Sequence, residues 1–208
     1  MTSNNAFWDK VANRYAAMPV GDQAAYEQTL ERVASHLTPG DSVLEIGCGT
    51  ATTALTLAPK VARILATDAS AEMVRIGRER AEAEGVDNIE ILQARIDDPR
   101  LASGAHDVVM AFSLLHLVDD LDATLAQVVR MLKPGGLFIS KTPCLKAMWY
   151  LRPVLPVLRL LGKAPGGVAF LSPDALAAAI RWAGFEIIET GDYPAKTPPR
   201  RFIVARKL

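Results

Sequence analysis

Short apolar runs alternate with segments of helical periodicity along most of the chain. Five of these runs have the length of a strand, and they occupy residues 42–46, 63–67, 89–93, 107–112 and 136–140. Helix-period segments lie between them, as at residues 71–84 and 121–132. Strands separated by helices need crossover connections, which favour a parallel sheet covered on both faces. The alternation therefore predicts an α/β fold with a doubly wound sheet.

The end of the chain departs from this alternation. Residues 185–189 and 201–205 form two strand-like runs that are joined by a loop containing Pro194, Pro198 and Pro199, with no helix between them. Such a connection suits an antiparallel pair at the edge of the sheet. We therefore expect seven strands, mostly parallel, with an antiparallel strand at the C-terminal end.

Two segments fall outside the sheet pattern. Residues 1–38 carry helical sequence ahead of the first strand, and residues 143–171 form an insertion after the fifth. A chain of 208 residues fits one domain, so we expect a single domain over residues 1–208 with an N-terminal helical cap and an inserted lid. The insertion is rich in leucine and aromatic residues and would line an apolar pocket, whereas a membrane surface or a second subunit would suit it equally.

The composition argues against several classes of protein. The 23 lysines and arginines balance 23 acidic residues, so the basic excess typical of nucleic-acid binding is absent and no nucleic-acid partner is expected. Cys48 and Cys144 make neither a disulfide framework nor a metal-binding pair, which suits the cytoplasm. The chain start shows no export signal, and charges and prolines interrupt the most apolar stretch, residues 145–161. We expect no transmembrane segment.

The turn after the first strand carries the strongest signal for a ligand. Gly47 and Gly49 permit a tight turn whose backbone N–H groups can approach a ligand closely. Asp68 ends the second strand, where a carboxylate can accept hydrogen bonds from ribose hydroxyls. Glu45 precedes the first glycine by two residues. In a doubly wound sheet these residues lie at the carboxyl ends of the strands, where ligands bind.

A nicotinamide- or flavin-dinucleotide site is the competing interpretation of this turn. Thr52 stands where that fingerprint has its third glycine. Glu45 would repel a pyrophosphate, whereas it would attract a cationic ligand. We also expect no second domain to hold a hydride donor or acceptor. A ligand with an adenosine half and a positively charged half fits these residues better.

Four motifs, in a fixed order along the chain, carry a family resemblance. They are Glu45-Ile-Gly-Cys-Gly-Thr50, Asp68, Phe112-Ser-Leu-Leu-His116 and Leu132-Lys-Pro-Gly-Gly136. Together they resemble the class I S-adenosylmethionine-dependent methyltransferases, in particular the small-molecule group labelled type 11 or UbiE-like, and the resemblance extends over most of residues 6–205. It implies a Rossmann-like methyltransferase fold and S-adenosyl-L-methionine as the cofactor.

The resemblance also implies where the cofactor binds. The glycine turn would lie under its methionine part, Asp68 would bind its ribose, and Ile96 would contact the adenine ring. Tyr15 belongs to a segment that folds over the cofactor in this family, and it would hydrogen-bond to the methionine carboxylate. The full set of predicted cofactor-binding residues is Tyr15, Glu45, Gly47, Cys48, Gly49, Thr50, Asp68, Ala69, Met73, Ile96, Phe112 and Ser113.

Some residues near the predicted cofactor site have structural alternatives. Met73, at helical spacing, can fill the core, and Tyr15 can pack its helix onto the sheet together with Trp8. Arg95 stands where the family has an acid that contacts adenine. Arg95 therefore either stacks on the ring or points to solvent.

His116 is the candidate catalytic residue. It follows the fourth strand, where the methyl group should meet its acceptor, and it could deprotonate a hydroxyl or nitrogen there. A histidine that packs or caps the next helix is the alternative. No metal is expected, because acids in a first helical turn, such as Asp119, Asp120 and Asp122, are favoured by the helix dipole.

These features predict methyl transfer from S-adenosylmethionine to O, N or C of a small, apolar molecule. We expect a cytoplasmic monomer or homodimer, with peripheral membrane contact through the insertion as an option. Two alternatives stay open: a nicotinamide-dependent oxidoreductase, and a non-catalytic partner subunit that retains the cofactor fold.

Overall fold

A computed structural model describes residues 2–194 and 198–208, so Met1 of the predicted cap and residues 195–197 of the predicted proline loop lie outside the described residues. The strands are β1 (Ser42–Ile46), β2 (Arg63–Asp68), β3 (Ile89–Gln93), β4 (His106–Phe112), β5 (Leu132–Pro143), β6 (Phe185–Asp192) and β7 (Arg200–Lys207). The helices are α1 (Thr2–Ala17), α2 (Gln23–Ala34), α3 (Thr52–Leu57), α4 (Ala71–Glu84), α5 (Leu121–Met131), α6 (Leu155–Leu160) and α7 (Pro173–Trp182), with 3₁₀ segments at Ala58–Lys60 and Leu145–Leu151.

The seven strands of the described residues form one sheet in the order β3-β2-β1-β4-β5-β7-β6. Pairing is parallel from β3 through to β5, and β7 is antiparallel to both β5 and β6. The predicted doubly wound, mostly parallel sheet with an antiparallel C-terminal strand is therefore confirmed. The strand order reverses at β1, because β2 and β4 lie on its opposite sides. In such sheets ligands bind at the carboxyl ends of the strands beside this reversal.

Strand β5 is longer than the predicted run at residues 136–140. It extends from Leu132 to Pro143, and its pairing with β4 shifts register between His106 and Val108. Gly135 makes this irregularity feasible, because it adopts a φ of 73°, a left-handed conformation that side chains other than glycine rarely take. The Lys-Pro-Gly-Gly sequence has the composition of a turn, so the sequence pattern alone places the start of the strand too late.

Each face of the sheet packs against its own set of helices. One face buries residues from α2, α3 and α4, such as Val33, Leu57 and Val74. The other buries residues from α5 and α7, such as Leu125 and Ile180. Because both faces are covered, the central strands are apolar on consecutive positions, and the polar residues that remain are concentrated at the ends of the strands.

Local signals set the limits of α4, the helix beside the predicted ligand turn. The Ser70 hydroxyl accepts a hydrogen bond from the N–H of Met73, which caps the N-terminus. Gly85 ends the helix in the left-handed conformation, with a φ of 65°. The N-terminal cap therefore begins α4 directly after Asp68 and Ala69, so that this end of the helix lies beside the carboxyl end of β2.

The insertion after β5 is joined to the strand ends by backbone hydrogen bonds. Cys144 N–H donates to Pro199 O at 2.8 Å, and Ala169 N–H donates to His116 O at 2.7 Å. A cavity of about 290 Å³ separates the insertion from α1 and is lined in part by Phe7 and Gly162. The insertion thus extends from the end of β5 to the N-terminal helix. No helix within residues 2–194 and 198–208 is long and apolar enough to cross a membrane.

Candidate functional site

The glycine turn forms at the carboxyl end of β1, as the sequence predicts. Gly47 and Gly49 have φ values of 65° and 55°, both in the left-handed region. A Cβ added to Gly47 would lie 2.7 Å from Leu114 Cδ1, in the loop after β4, so the leucine side chain would have to move to admit a side chain here. Cys48 N–H donates to Thr67 O at 2.9 Å, which fixes the turn to the end of β2.

Asp68 holds the turn from the neighbouring strand. Its Oδ2 accepts a hydrogen bond of 2.9 Å from Gly49 N–H, and its Oδ1 accepts one of 2.8 Å from Ser70 N–H. Burial raises the pKa of Asp68, although these backbone donors oppose the change. The carboxylate therefore connects the glycine turn to the start of α4.

Glu45 lies beneath the turn and is almost completely buried. Its side chain is only 2% exposed, and its Oε2 has no hydrogen-bond partner among the described residues. Burial and the charge of Asp68 raise the pKa of Glu45 to about 8, while the backbone N–H of Ala54 acts in the opposite direction. A buried carboxyl oxygen without a partner is costly. This oxygen is therefore available to a ligand that donates a hydrogen bond or carries positive charge.

Tyr15 on α1 lies over the turn. A Cβ built on Gly49 would be 3.8 Å from Tyr15 Cε1, and the Tyr15 ring also contacts Trp8 edge-on with centroids 6.2 Å apart. Burial, together with the charges of Asp68 and Glu45, raises the pKa of Tyr15. Packing against Trp8 and proximity to the glycine turn are thus both present.

Helix α1 is attached to α4 by several polar contacts. Ser70 Oγ donates to Asp9 Oδ1 at 2.6 Å, and the Arg80 guanidinium donates to Ala16 O at 2.8 Å. The same guanidinium donates to the Thr50 hydroxyl at 3.0 Å, which occupies the side chain of this predicted cofactor-binding residue. The predicted cap is therefore anchored next to the glycine turn.

Other predicted cofactor-binding residues differ in their exposure. Met73 is 2% exposed and packs with Ala12 and Ile76 between α1 and α4, where its side chain fills the core. Cys48 is buried as well, and burial raises the pKa of its thiol well above the usual value. Ala69 is partly exposed at the end of β2, beside Asp68.

In the segment after β3, Ile96 is partly buried and Arg95 is exposed. Ile96 is partly buried against the cluster that α5 and α7 share. Arg95 is exposed, and its Nε lies 3.2 Å from Asp97 Oδ1. Of the two alternatives for Arg95, this structure shows a solvent-facing side chain paired with its neighbour.

The loop after β4 carries the predicted acceptor side of the site. Phe112 is partly buried, and Ser113 is exposed with an unusual φ of 53°. Ser113 N–H donates to Lys141 O at 2.8 Å, which holds the loop against the end of β5. A non-glycine residue with a positive φ is uncommon, so the backbone leaves the strand sharply at this point.

His116 is partly buried in the same loop and has an unpartnered nitrogen. Its Nδ1 is buried and has no hydrogen-bond partner in the described part of the chain. Burial and the charge of Arg200 lower the pKa of His116 to about 4. The imidazole is therefore neutral at pH 7, which is the form that a general base requires.

Sequence reasoning missed two cationic residues at this edge of the sheet. Lys141 lies at the end of β5, where Nζ donates to the Thr29 hydroxyl at 2.6 Å. Arg200 begins β7 and lies close enough to lower the pKa values of Lys141, His116 and Tyr15. The signal in the sequence is weak, because single cations at strand ends are common. Only the pairing of β5 with β7 brings these two together.

Metal ligands do not come together in the described ranges 2–194 and 198–208. No group of three or more His, Cys, Asp or Glu side chains there is arranged to hold a metal ion. Asp120 caps α5 by accepting a hydrogen bond from Ala123 N–H at 2.9 Å. The carboxylate of Asp120 therefore has a structural partner at the helix N-terminus.

Comparison with known proteins supports the architecture. A family described as a methyltransferase domain matches residues 43–136. A demethylmenaquinone methyltransferase from Symbiobacterium thermophilum is 32% identical over 148 residues, which cover 67% of this chain and 57% of that relative. The match thus spans less than two thirds of the relative's length.

Two solved structures share the fold at low sequence identity. The [4+2]-cyclase SpnF has a TM-score of 0.78 at 18% identity, covering 99% of this chain and 96% of the cyclase. Geranyl diphosphate C-methyltransferase from Streptomyces coelicolor A3(2), in complex with Mg²⁺, geranyl-S-thiolodiphosphate and S-adenosyl-L-homocysteine, has a TM-score of 0.71 at 15% identity, covering 88% of this chain and 76% of that protein. At these identities the likeness concerns the fold alone.

The sheet order, the antiparallel β7 and the glycine turn at the end of β1 define a Rossmann-like methyltransferase domain. The matched family and the methyltransferase relative agree with the four sequence motifs. Residues 43–136 therefore match a methyltransferase domain, and the chain has the fold of the class I S-adenosylmethionine-dependent methyltransferases.

Proposed function

We propose that the protein transfers a methyl group from S-adenosylmethionine to O, N or C of a small molecule with an apolar body. The observation that carries this proposal is the buried Glu45 carboxyl in the strand that leads into the glycine turn, whose Oε2 has no partner among the described residues. A cationic ligand with an N–H donor would satisfy this oxygen and offset the charge that burial disfavours. Nucleoside phosphates would not, because their charge has the wrong sign.

The residues around the turn fit the cofactor in chemical type. Gly47 and Gly49 carry no side chain, so a ligand can approach the backbone of the turn closely, and Asp68 offers carboxylate oxygens at the end of β2. Tyr15 would meet the methionine end from α1, while Ala69 and Ile96 would border the adenine. Cys48, Thr50 and Met73 would act mainly by shaping the turn, since their side chains are buried.

The protein has little covalent chemistry to perform. When bound, the cofactor supplies an electrophilic methyl group on its positively charged sulfur. The chain must hold the acceptor in line and exclude water, and such preorganisation can contribute about 7–11 kcal/mol. His116 is neutral, and its buried Nδ1 has no partner among the described residues, so it would accept the proton of a hydroxyl or amine acceptor and contribute about 10²–10⁴-fold. Phe112 and Ser113 would border the reacting groups.

We assign the single domain to residues 1–208, with residues 1–38 as the cap and residues 143–171 as the lid over the acceptor. The bond from Ala169 to His116 and the cavity between the insertion and α1 support this assignment. The names of a demethylmenaquinone and a geranyl diphosphate methyltransferase support an acceptor with an apolar body.

Calorimetric titration with S-adenosylhomocysteine tests the cofactor assignment. We expect binding to the wild-type protein and at least tenfold weaker binding to Asp68→Asn. Asp122→Asn, on the exposed first turn of α5, is the matched control and should bind like the wild type. Binding of NADH in place of S-adenosylhomocysteine would instead favour the oxidoreductase alternative.

A separate experiment distinguishes turnover from binding alone. Because a cyclase shares this fold, affinity for the cofactor does not by itself demonstrate methyl transfer. Incubation with methyl-labelled S-adenosylmethionine and a panel of quinols, phenols and terpenoid acids should give a labelled product. Tight cofactor binding without product across the panel would favour the non-catalytic subunit.

A further inference from the structure

The Arg200 side chain is exposed and has no hydrogen-bond or ion-pair partner in the described part of the chain, although its backbone carbonyl accepts a hydrogen bond of 3.1 Å from Tyr193 N–H. It is the first residue of β7, at the edge of the sheet where β5 ends. Its neighbour Arg201, in contrast, makes two contacts of 2.9 and 3.1 Å with the carboxylate of Asp192. Two adjacent arginines thus have different roles, and Arg200 has a guanidinium available for another group.

Lys141 lies beside Arg200 on the adjacent strand. In the antiparallel register Arg200 is opposite Pro143, and Phe202 is opposite Lys141. Residues two apart on a strand share a face, so Lys141 and Arg200 are diagonal neighbours on one face of the sheet. The Cα atoms of such a pair are roughly 7–8 Å apart. Both side chains therefore belong to the face of the sheet that α2 covers.

The Lys141 ammonium is only partly satisfied. It donates to the Thr29 hydroxyl at 2.6 Å and to Ala25 O at 3.4 Å, and an ammonium has three N–H donors. Burial and the charge of Arg200 lower the pKa of Lys141 to about 8, whereas Asp22 raises it. Asp22 also caps α2, because its Oδ1 accepts a hydrogen bond from Ala25 N–H at 3.0 Å. Two like charges placed this close repel each other, which favours an anion beside them in addition to Asp22.

Neutral polar atoms without partners lie around the same two cations. Tyr26 Oη and His116 Nδ1 are both buried and unpartnered among the described residues. Tyr26 is one helical turn before Thr29, and His116 is close enough to Arg200 for the arginine charge to lower its pKa. The hydrogen bond from Ser113 N–H to Lys141 O connects the histidine loop to the lysine. Lys141 and Arg200 lie at the ends of β5 and β7, and the histidine loop follows β4, whereas Glu45 and Asp68 lie in β1 and β2.

We propose that Arg200 and Lys141 form an anion-binding subsite on the acceptor side, and that the methyl acceptor carries a carboxylate or phosphate on an otherwise apolar body. The proposal deepens the proposed function and rests on it for the identity of the acceptor side. The methionine carboxylate of the cofactor is a second anion that these cations could bind, because Tyr15 lies near both Arg200 and the glycine turn.

Calorimetry with inorganic phosphate as the probe tests the subsite directly. Phosphate is titrated at low ionic strength into the protein alone and into the protein saturated with S-adenosylhomocysteine. We expect binding in both cases, and at least tenfold weaker binding to Arg200→Gln and to Lys141→Gln. Arg200→Lys should retain most of the affinity, because the charge is kept. Arg181→Gln, which removes an exposed arginine in the last turn of α7, is the control and should bind phosphate like the wild type.

The affinity for S-adenosylhomocysteine separates the two sources of the anion. If Arg200 and Lys141 serve the acceptor, Arg200→Gln binds S-adenosylhomocysteine within twofold of the wild type. A tenfold loss of that affinity, or loss of phosphate binding once the cofactor product is bound, would assign the cations to the methionine carboxylate and overturn the proposal. Equal phosphate binding by wild type, Arg200→Gln and Arg181→Gln would overturn it as well.

The same titrations distinguish failure of the subsite from failure of the proposed function. If the wild type does not bind S-adenosylhomocysteine, the proposed function is contradicted. The titration of phosphate into the protein alone would still show whether Arg200 and Lys141 bind an anion. Circular dichroism melting of Arg200→Gln and Lys141→Gln checks folding. Arg200 is exposed, so we expect Arg200→Gln to melt like the wild type and its phosphate result to be interpretable alone.

Discussion

Glu45 and Asp68 bring two carboxyl groups together at the ends of β1 and β2, and the charge of Asp68 raises the pKa of the buried Glu45. Only Asp68 has backbone N–H partners for both of its oxygens, since Oε2 of Glu45 has none among the described residues. The ligand-free protein is therefore left with an unfavourable buried group at its switch point. Such a group is expected where a ligand completes the environment.

Replacing Glu45 by Gln should weaken S-adenosylhomocysteine binding at least tenfold, because the group that attracts positive charge is lost. The substitution should also change how the free energy of unfolding of the ligand-free protein depends on pH. The folded pKa of Glu45, about 8, exceeds the unfolded value of about 4.3. Between these values the folded state holds a proton that the unfolded state has lost, so stability falls as pH rises, by on the order of a few kcal/mol.

Urea unfolding of the wild type and of Glu45→Gln at about pH 5 and pH 8 measures this effect. The wild type should lose more stability than the variant over that interval. A parallel decline in both proteins would contradict a raised pKa at Glu45, and unchanged S-adenosylhomocysteine affinity would contradict its role in binding.

Replacing Gly47 by Ala should destabilise the turn and weaken ligand binding. The φ of 65° is unfavourable for alanine by about 1–2 kcal/mol, and the added Cβ would lie 2.7 Å from Leu114 Cδ1. Gly21→Ala is the matched control, because no atom lies within 4 Å of its added Cβ. Thermal melting and titration with S-adenosylhomocysteine check both effects. Equal behaviour of the two variants would show that the turn tolerates a side chain.

His116 should act as a base that is already neutral at physiological pH. Burial and Arg200 lower its pKa to about 4, so kcat/KM should be flat between about pH 6 and 8 and should fall only as pH drops toward 4. His116→Asn should lower kcat by about 10²-fold or more for an acceptor that loses a proton. The measurement is a pH–rate profile of both proteins. An inflection near the ordinary histidine pKa that disappears in the variant would contradict the lowered value.

The Arg32–Glu189 pair should contribute to stability at neutral pH and lose its contribution in acid. Arg32 donates to both Glu189 oxygens at 2.8 and 2.6 Å, which joins α2 to β6. The hydrogen bond from Arg32 lowers the pKa of Glu189 to about 2, with His36 adding to the effect. A lowered carboxyl pKa stabilises the folded state above the unfolded pKa of about 4.3, and that stabilisation disappears as pH falls toward 2.

Glu189→Gln should therefore melt a few degrees below the wild type at pH 7, with the difference shrinking as the pH is lowered toward about 2. Glu186→Gln is the control and should melt like the wild type, because Glu186 lies on the same strand, is exposed and makes no salt bridge among the described residues. A difference that persists undiminished in acid would indicate a packing effect rather than the loss of a charge pair.

Much of the fold follows from local patterns in the sequence. The apolar runs at residues 42–46 and 89–93 coincide with β1 and β3, and the helix predicted over residues 71–84 coincides with α4. These segments are bounded by strong signals, such as the Ser70 cap and Gly85. The start of β5 was placed too late, because its Pro-Gly-Gly sequence suits a turn and only the pairing with β4 makes it part of a strand.

Only part of the candidate site can be predicted from local patterns in the sequence. The glycine turn, Glu45 and Asp68 are close in sequence to the strands that carry them, so topology alone places them together. Arg200 and Lys141 are brought together by the long-range β5–β7 register, which the sequence does not specify. The interior position of Met73 likewise depends on α1 packing against α4, a contact between separate segments.

The hydrogen bond from Ala169 N–H to His116 O couples the insertion to the loop that bears the histidine. A shift of residue 169 would therefore move the backbone of His116, so the orientation of the imidazole depends on how the insertion is packed.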